Sequence, residues 1–452
     1  MVFIKNFGAL LFLFFWGTII SQEKQLQRAN QAFEEHGHSK ARNIYKKILR
    51  KGYHDKELYE KIGDSYYFDG KLEKAAHWYE ELVKRHPSQI KYEHLKRYAH
   101  CLKHIGSYID QDVTLQKLFI NKIQNLDNDL ASIVPVNYLQ SENLSMRFVV
   151  NALSINSKYS EYSPSFYNNE LVFASSRSSK SFSSVVNDWN NQPFLDLYYT
   201  TKGQKKITRL KGDINTKFHE SSAVFSKDGK TVYFTRNNYS KGKLKKSTGG
   251  TTLLKIYKGE YSKGKWINIE ELPFNSNEYS IAHPALSPDG RLLYFASDMP
   301  GSLGESDLYV CSINEDGSFG KPKNLGSSIN TSGRETFPYI SDKGNLFFAS
   351  DGHKGLGGLD IFMATQNDTG NFDIYNLGEP INSNKDDFTF IIDESNHRGY
   401  FASNRKGGMG DDDIYGFKQI ISFPDQKLRS KPVKKLERIF RLQPVKVETT
   451  SL

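Results

Sequence analysis

Two hydrophobic rhythms divide the chain. From Gln22 to about Lys122 apolar residues recur at helical spacing, β-branched clusters are sparse, and Pro87 is the sole proline. From Ile155 onward short runs alternate apolar and polar residues between Asp-Gly, Lys-Gly and Asn-bearing turns, the rhythm of strands with one buried face. The pattern predicts an α + β multidomain protein, an α-helical array followed by an all-β domain.

The helical part repeats. Tyr59, Ile62, Gly63, Tyr66, Ala75, Tyr79, Leu82 and Pro87 fall in order on the marker positions of a helix-turn-helix unit of the tetratricopeptide type, roughly 34 residues long, with Gly70 in its turn. A weaker unit precedes it at Ala29, Ala41, Tyr45 and Ile48. Another begins at Leu95, Tyr98, Ala99, Leu102 and Gly106. Three such units make a stack, and its concave face is lined in this register by Glu57, Glu60, Asp64 and Tyr67, then Lys96, His100 and Lys103. These seven are the candidate peptide groove.

The β part repeats five times. Each unit opens on an apolar-Asn-Ser/Thr triplet, at Asn156, Asn215, Asn275, Asn330 and Asn382, and continues through a turn into a run such as Leu292-Leu-Tyr-Phe-Ala-Ser297. A third strand starts at Asp196, Asp307, Asp360 and Asp413, with Lys255 in the second unit, and fourth strands follow at Lys206, Lys265 and Phe372. Four strands per unit at this period predict propeller blades. The last unit lacks a fourth strand, while Arg147 to Leu153 is a strand without a blade, so the N-terminal strand is expected to close a five-bladed ring. A sixth blade supplied by the tail is the alternative. The expected domains are a leader over 1–21, helical repeats over 22–124, a linker or last helix over 125–145, the propeller over 146–418 and a basic tail over 419–452.

Composition adjusts this picture at three points. With 452 residues, 38% of them hydrophobic, the chain exceeds one ordinary core. Its 2 cysteines, Cys101 and Cys311, exclude a disulfide framework and a four-thiolate zinc site. The net charge of +10 raises nucleic acid as a partner, but nine basic groups after Phe417 face only Asp425, Glu437 and Glu448. Most of the excess is therefore one tail, and nucleic acid is not expected. In that tail Leu436, Ile439 and Phe440 among Lys434, Lys435, Arg438 and Arg441 suit a short amphipathic helix.

Lys5, the apolar stretch from Phe7 to Ile20 and the small Ser21 before Gln22 read as a secretory signal. The stretch falls short of the roughly 20 residues that span a bilayer, and no later run reaches that length. No cysteine follows for acylation. The mature protein is expected to be exported, unlipidated, free of transmembrane segments and located in the periplasm of a Gram-negative cell.

The run Ser-Pro-Asp-Gly-Arg-Leu-Leu-Tyr-Phe-Ala-Ser at Ser287 to Ser297 resembles the WD40-like (PD40) repeats of TolB-type propellers. Leader, tetratricopeptide repeats and propeller in this order resemble envelope proteins of Bacteroidota that carry, further on, an OmpA-like peptidoglycan-binding domain. The resemblance covers roughly Gln22 to Phe417. It implies a protein-protein interaction role beside type IX secretion or gliding motility, with envelope or secretion-system proteins as partners and peripheral contact with outer membrane or peptidoglycan. The chain departs from the group in ending about 35 residues after the propeller and in lacking a lipidation cysteine.

No Gly-x-Ser-x-Gly elbow, His-Glu-x-x-His helix, Cys-x-x-Cys pair or phosphate loop occurs, so no catalytic residue, metal or cofactor is expected, and the chain reads as not an enzyme. The Gly-rich turns before Asp360 and Asp413 resemble calcium-binding turns, but they recur once per blade rather than in tandem. Asp307, Asp360 and Asp413 are therefore read as turn residues that accept backbone N–H groups. Two long loops are candidate binding rims: Ser178 to Phe194, with Trp189, and Asn238 to Thr252, with Lys241, Lys243, Lys245 and Lys246. The leading expectation is a periplasmic scaffold or adaptor. The alternative is a propeller that binds glycan or peptidoglycan fragments.

Overall fold

The computed structural model describes residues 23–105, 147–168, 170–177, 192–201, 206–240, 242–366 and 372–420. The leader, the linker over 125–145, the tail beyond 420, Trp189 and Lys241 lie outside the described residues.

Five helices come first: α1 (23–34), α2 (His38–Arg50), α3 (Lys56–Tyr67), α4 (Leu72–Arg85) and α5 (Tyr92–His104). Asp55 caps α3 by accepting the Glu57 N–H at 2.9 Å, which satisfies one of the orphan donors of the first turn. The apolar stripes of all five meet in one cluster that includes Ala41, Tyr45, Tyr59, Ile62, Ala75, Tyr79, Leu82, Leu95 and Tyr98. At Gly63 the reason for glycine is steric, because a Cβ there would stand 2.7 Å from Tyr79 Cε1. The ring of α4 lies against the backbone of α3.

The β part is a propeller of five four-stranded antiparallel blades. From the axis outward, the first blade runs Glu161–Tyr167, Glu170–Ser175, Asp196–Thr201 and Ile207–Arg209. The fifth runs Asp387–Asp393, Arg398–Ser403 and Asp413–Gln419, and its outermost strand is Phe148–Ala152 from the other end of the domain. Val150 stands opposite Phe417 in that closing ladder. Closure leaves no open seam between the first and last blades.

The recurrent Asn has a specific task. Asn215 Oδ1 accepts from Leu197 N at 2.7 Å and its Nδ2 donates to Leu197 O at 3.0 Å. Asn275 with Ile256, Asn330 with Leu308 and Asn382 with Ile361 repeat the arrangement. Each amide imitates a β-ladder partner and ties the strand-to-blade connection to the third strand.

The innermost strands carry a feature that alternation alone does not show. Each has a bulge two residues in, where Ser163, Ser222, His283, Phe337 and Thr389 adopt positive φ between 49 and 58°. Their side chains meet around the axis. Ser163 Oγ and Ser222 Oγ are 2.8 Å apart, Ser222 Oγ is 2.8 Å from His283 Nδ1, and the His283 ring lies 3.8 Å from that of Phe337. Phe388 and Tyr162 complete the aromatic side. The channel is narrowed by hydrogen-bonded and stacked side chains.

Candidate functional site: the junction of helices and propeller

The array rests on one face of the propeller. In antiparallel blades, every loop between second and third strands and every connection into the next blade emerges on that same face. These loops supply the junction: Glu305 from blade three, Ser332, Gly333, Asp351, Gly352 and Gly358 from blade four, and Lys385 with Asp386 at the entry to blade five.

The shortest link is ionic. Lys385 Nζ lies 2.6 Å from Glu73 Oε1, the lysine side chain 6% exposed and the glutamate 58%. The Lys385 hydrogen bond and charge hold the Glu73 carboxyl below its usual range. Beside it His104 of α5 sits among Asp386, Lys385 and Glu73, and burial lowers its imidazole below the ordinary value. One turn back, Tyr67 and His100 share a 2.8 Å hydrogen bond, and a Cβ at Gly358 would come within 3.4 Å of His100 Nε2. What requires glycine there is Asp386, whose Oδ1 would stand 2.0 Å from such a Cβ, while the approach to α5 is ordinary van der Waals contact. Burial alone would raise the Asp351 carboxyl, yet Arg334 and His100 keep it low. Arg334 Nε is 2.8 Å from Asp351 and 4.0 Å from Glu305.

Between the two modules runs a cavity of about 210 Å³, lined by Tyr67, Tyr92, Glu93, Lys96, Arg97 and His100 of the array and by Glu305, Ser332, Gly333, Asp351 and Gly352 of the propeller. Arg97 is committed to Asp64 at 2.8 Å. Lys96 makes no ion pair among the described residues and is half-buried in the wall.

The seven candidate groove residues separate into distinct environments. Tyr67, Lys96 and His100 line this cavity. Glu60 and Asp64 are buried inside the array: Asp64 accepts from Tyr79 Oη at 2.7 Å and from Arg97, and His94 lies 3.4 Å from Glu60 and 3.3 Å from Asp64. Glu57 is exposed beside Asn30, 3.5 Å from its amide. The Lys103 side chain lies outside the described residues. Sequence periodicity places a residue on a helix face but does not say which face another domain covers, so the roles of Gly358, Lys385 and Asp386 had no local signal.

The turn aspartates Asp307, Asp360 and Asp413 are buried at the start of third strands. Asp307 accepts from Leu303 N at 2.7 Å and Gly304 N at 3.0 Å, Asp360 from Gly357 N at 3.0 Å, and Asp413 from Met409 N and Gly410 N. No group of three or more His, Cys, Asp or Glu side chains among the described residues is placed to hold a metal ion. Lys243, Lys245 and Lys246 are exposed in the blade-two loop, Lys245 at 3.7 Å from Glu271. That loop joins second and third strands and therefore shares the face on which the array rests. No helix among the described residues is long and apolar enough to cross a membrane.

No family model matches the chain, and no curated protein does. Solved propellers resemble it. A putative TolB from Agrobacterium tumefaciens aligns over 61% of this chain and 92% of its own at 13% identity and TM-score 0.35. A thermostable family-43 glycoside hydrolase aligns over 61% and 93% at 12% identity and TM-score 0.38. A puromycin-hydrolyzing peptidase from Mycobacterium tuberculosis aligns over 54% and 43% at 12% identity and TM-score 0.31. The sequence-based expectation that the chain is not an enzyme is corrected by these neighbours, because enzymes stand among the propellers it resembles. The missing catalytic motifs are single-segment patterns, whereas a propeller can assemble reacting groups from separate blades. The chain is an array of five helices joined to a five-bladed β-propeller.

Proposed function

We propose that this protein is an exported envelope scaffold that holds protein partners on the face shared by the helical array and the blade loops. The observation that supports this reading most is the junction itself: the array stands on the same face as the Lys-bearing loop of blade two, so one partner surface can touch both modules. Repeat arrays and propeller loops are both rigid supports for such contacts. Accessory service to type IX secretion or gliding motility, in the periplasm, is the finer form of the proposal and rests on the resemblance of domain order. Partners are then envelope or secretion-system proteins.

Affinity isolation of the tagged full chain from native envelopes after mild crosslinking tests the reading. Recovery of defined envelope proteins, reduced when Lys243, Lys245 and Lys246 are all changed to Glu, supports it. Recovery of wall glycan alone would replace it with the ligand-binding alternative, for which the cavity walled by Tyr67 and Tyr92 would be the place. The axial channel suits that alternative less, because Ser163, Ser222, His283 and Phe337 narrow it.

A further inference from the structure

The apolar cores of the two modules do not meet. One cluster holds the helices together and six others hold the blades, and among the described residues none contains members of both. What crosses the junction is polar: the Lys385–Glu73 pair, the buried His104 of α5 near it, and His100 with Tyr67 over Asp351 and the Gly358 turn. Interfaces of this kind within a chain open far more readily than apolar ones.

We propose that the helical array is clasped to the propeller by a reversible, charge-set junction that opens in acid and uncovers the cavity wall formed by Tyr67, Lys96 and His100. The junction itself stands on this geometry and needs no partner; the buried imidazole gives its opening a pH direction. The groups facing His104 are Asp386 and Lys385 from the propeller and Glu73 from α4, with Lys406 beside Glu73. Those facing His100 are Tyr67 and Asp351, with Arg334 and Glu305 around Tyr67. Docked, His104 is buried and resists protonation; released into water it regains an ordinary imidazole value of about 6.5. The open form therefore binds the proton more tightly, and linkage shifts the population towards it as pH falls below that value. Protonation of Glu73 at lower pH removes the ion pair and acts in the same direction. Salt weakens the clasp by screening the exposed end of that pair.

Hydrogen exchange of the full chain, corrected for intrinsic rates, reads the clasp at α5 and the Asp351–Asp360 turn, with the blade-two strands as internal reference. Exchange at the junction is expected to rise at least fivefold between pH 7.5 and 5.5 while the reference strands stay constant. Lys385→Glu should produce that rise already at pH 7.5, Glu73→Lys on the exposed side should do the same, and the double reversal should restore protection. His104→Gln should flatten the pH response. A junction indifferent to pH and to either single reversal would overturn the proposal, as would a double reversal no better protected than the single variants.

Discussion

Asn156 reaches across 258 residues to hold Ile414, donating from Nδ2 to its carbonyl and accepting its N–H at Oδ1, both at 2.9 Å. The pair is the side-chain counterpart of the closing ladder between Phe148–Ala152 and Asp413–Gln419, and it joins the first and last blades. Four other asparagines make the same bond within consecutive sequence, and only this one closes a ring.

Replacing Asn156 with Ala strands a buried N–H and a buried carbonyl. The expected loss is about 2–4 kcal/mol, from two hydrogen bonds whose partners are left unsatisfied. Chemical denaturation should show it, with blade-five strands the first to lose hydrogen-exchange protection. A loss below 0.5 kcal/mol would show that water or the ladder replaces the bond.

Gly63→Ala sets a methyl against the Tyr79 ring at a distance no real contact tolerates. Overpacking of this kind costs about 1–3 kcal/mol. The helical array should melt earlier by circular dichroism while the propeller transition stays in place, since the two cores are separate.

Thr389 Oγ1 is buried on the channel wall without a hydrogen-bond partner among the described residues. Thr389→Val keeps the branched shape and removes an unsatisfied hydroxyl, so it should be neutral or stabilising by about 1 kcal/mol. A clear loss of stability would instead reveal a bridging water bound to that hydroxyl.

Burial lowers His283 to about 3 and His219 to about 4, both below the unfolded value of 6.5. The unfolded chain thus binds more protons over that range, and the stability these groups contribute is present above pH 6.5 and lost as pH falls towards 3–4. Glu335 acts oppositely: burial raises it to about 7 from 4.5, so its contribution is full below 4.5 and lost as pH rises through 7. Melting curves should show His283→Phe reducing the acid slope and Glu335→Gln reducing the alkaline one. Unchanged slopes in both variants would mean that the groups are hydrated in the native state.

Much of the architecture is legible residue by residue. Gly63, Ala75 and Tyr79 announce helix pairing because close approach needs small residues opposite a large ring, and the structure buries all three in one core or contact. The Asn triplets, the Gly turns and the alternating strands announce five blades, and the unpaired strand near Phe148 announces how they close. Each signal is local, set by turn geometry and by the period of side-chain burial. Glu60 and Asp64 show the limit, since a carboxylate on a helix face looks the same in sequence whether it meets solvent or the His94 and Arg97 of α5, two helices on.

Short-range periodicity and turn chemistry carry the two modules and the closing strand and favour five blades over six, the choice between which falls to the structure. Tertiary structure alone decided that the array stands on the blade-four and blade-five loops, that Lys385 meets Glu73 and that Gly358 passes beneath His100. Those contacts join residues some 250 to 310 positions apart through polar groups, each individually ordinary for a surface turn or helix. No period or motif encodes such a match; it exists only once both surfaces have been built.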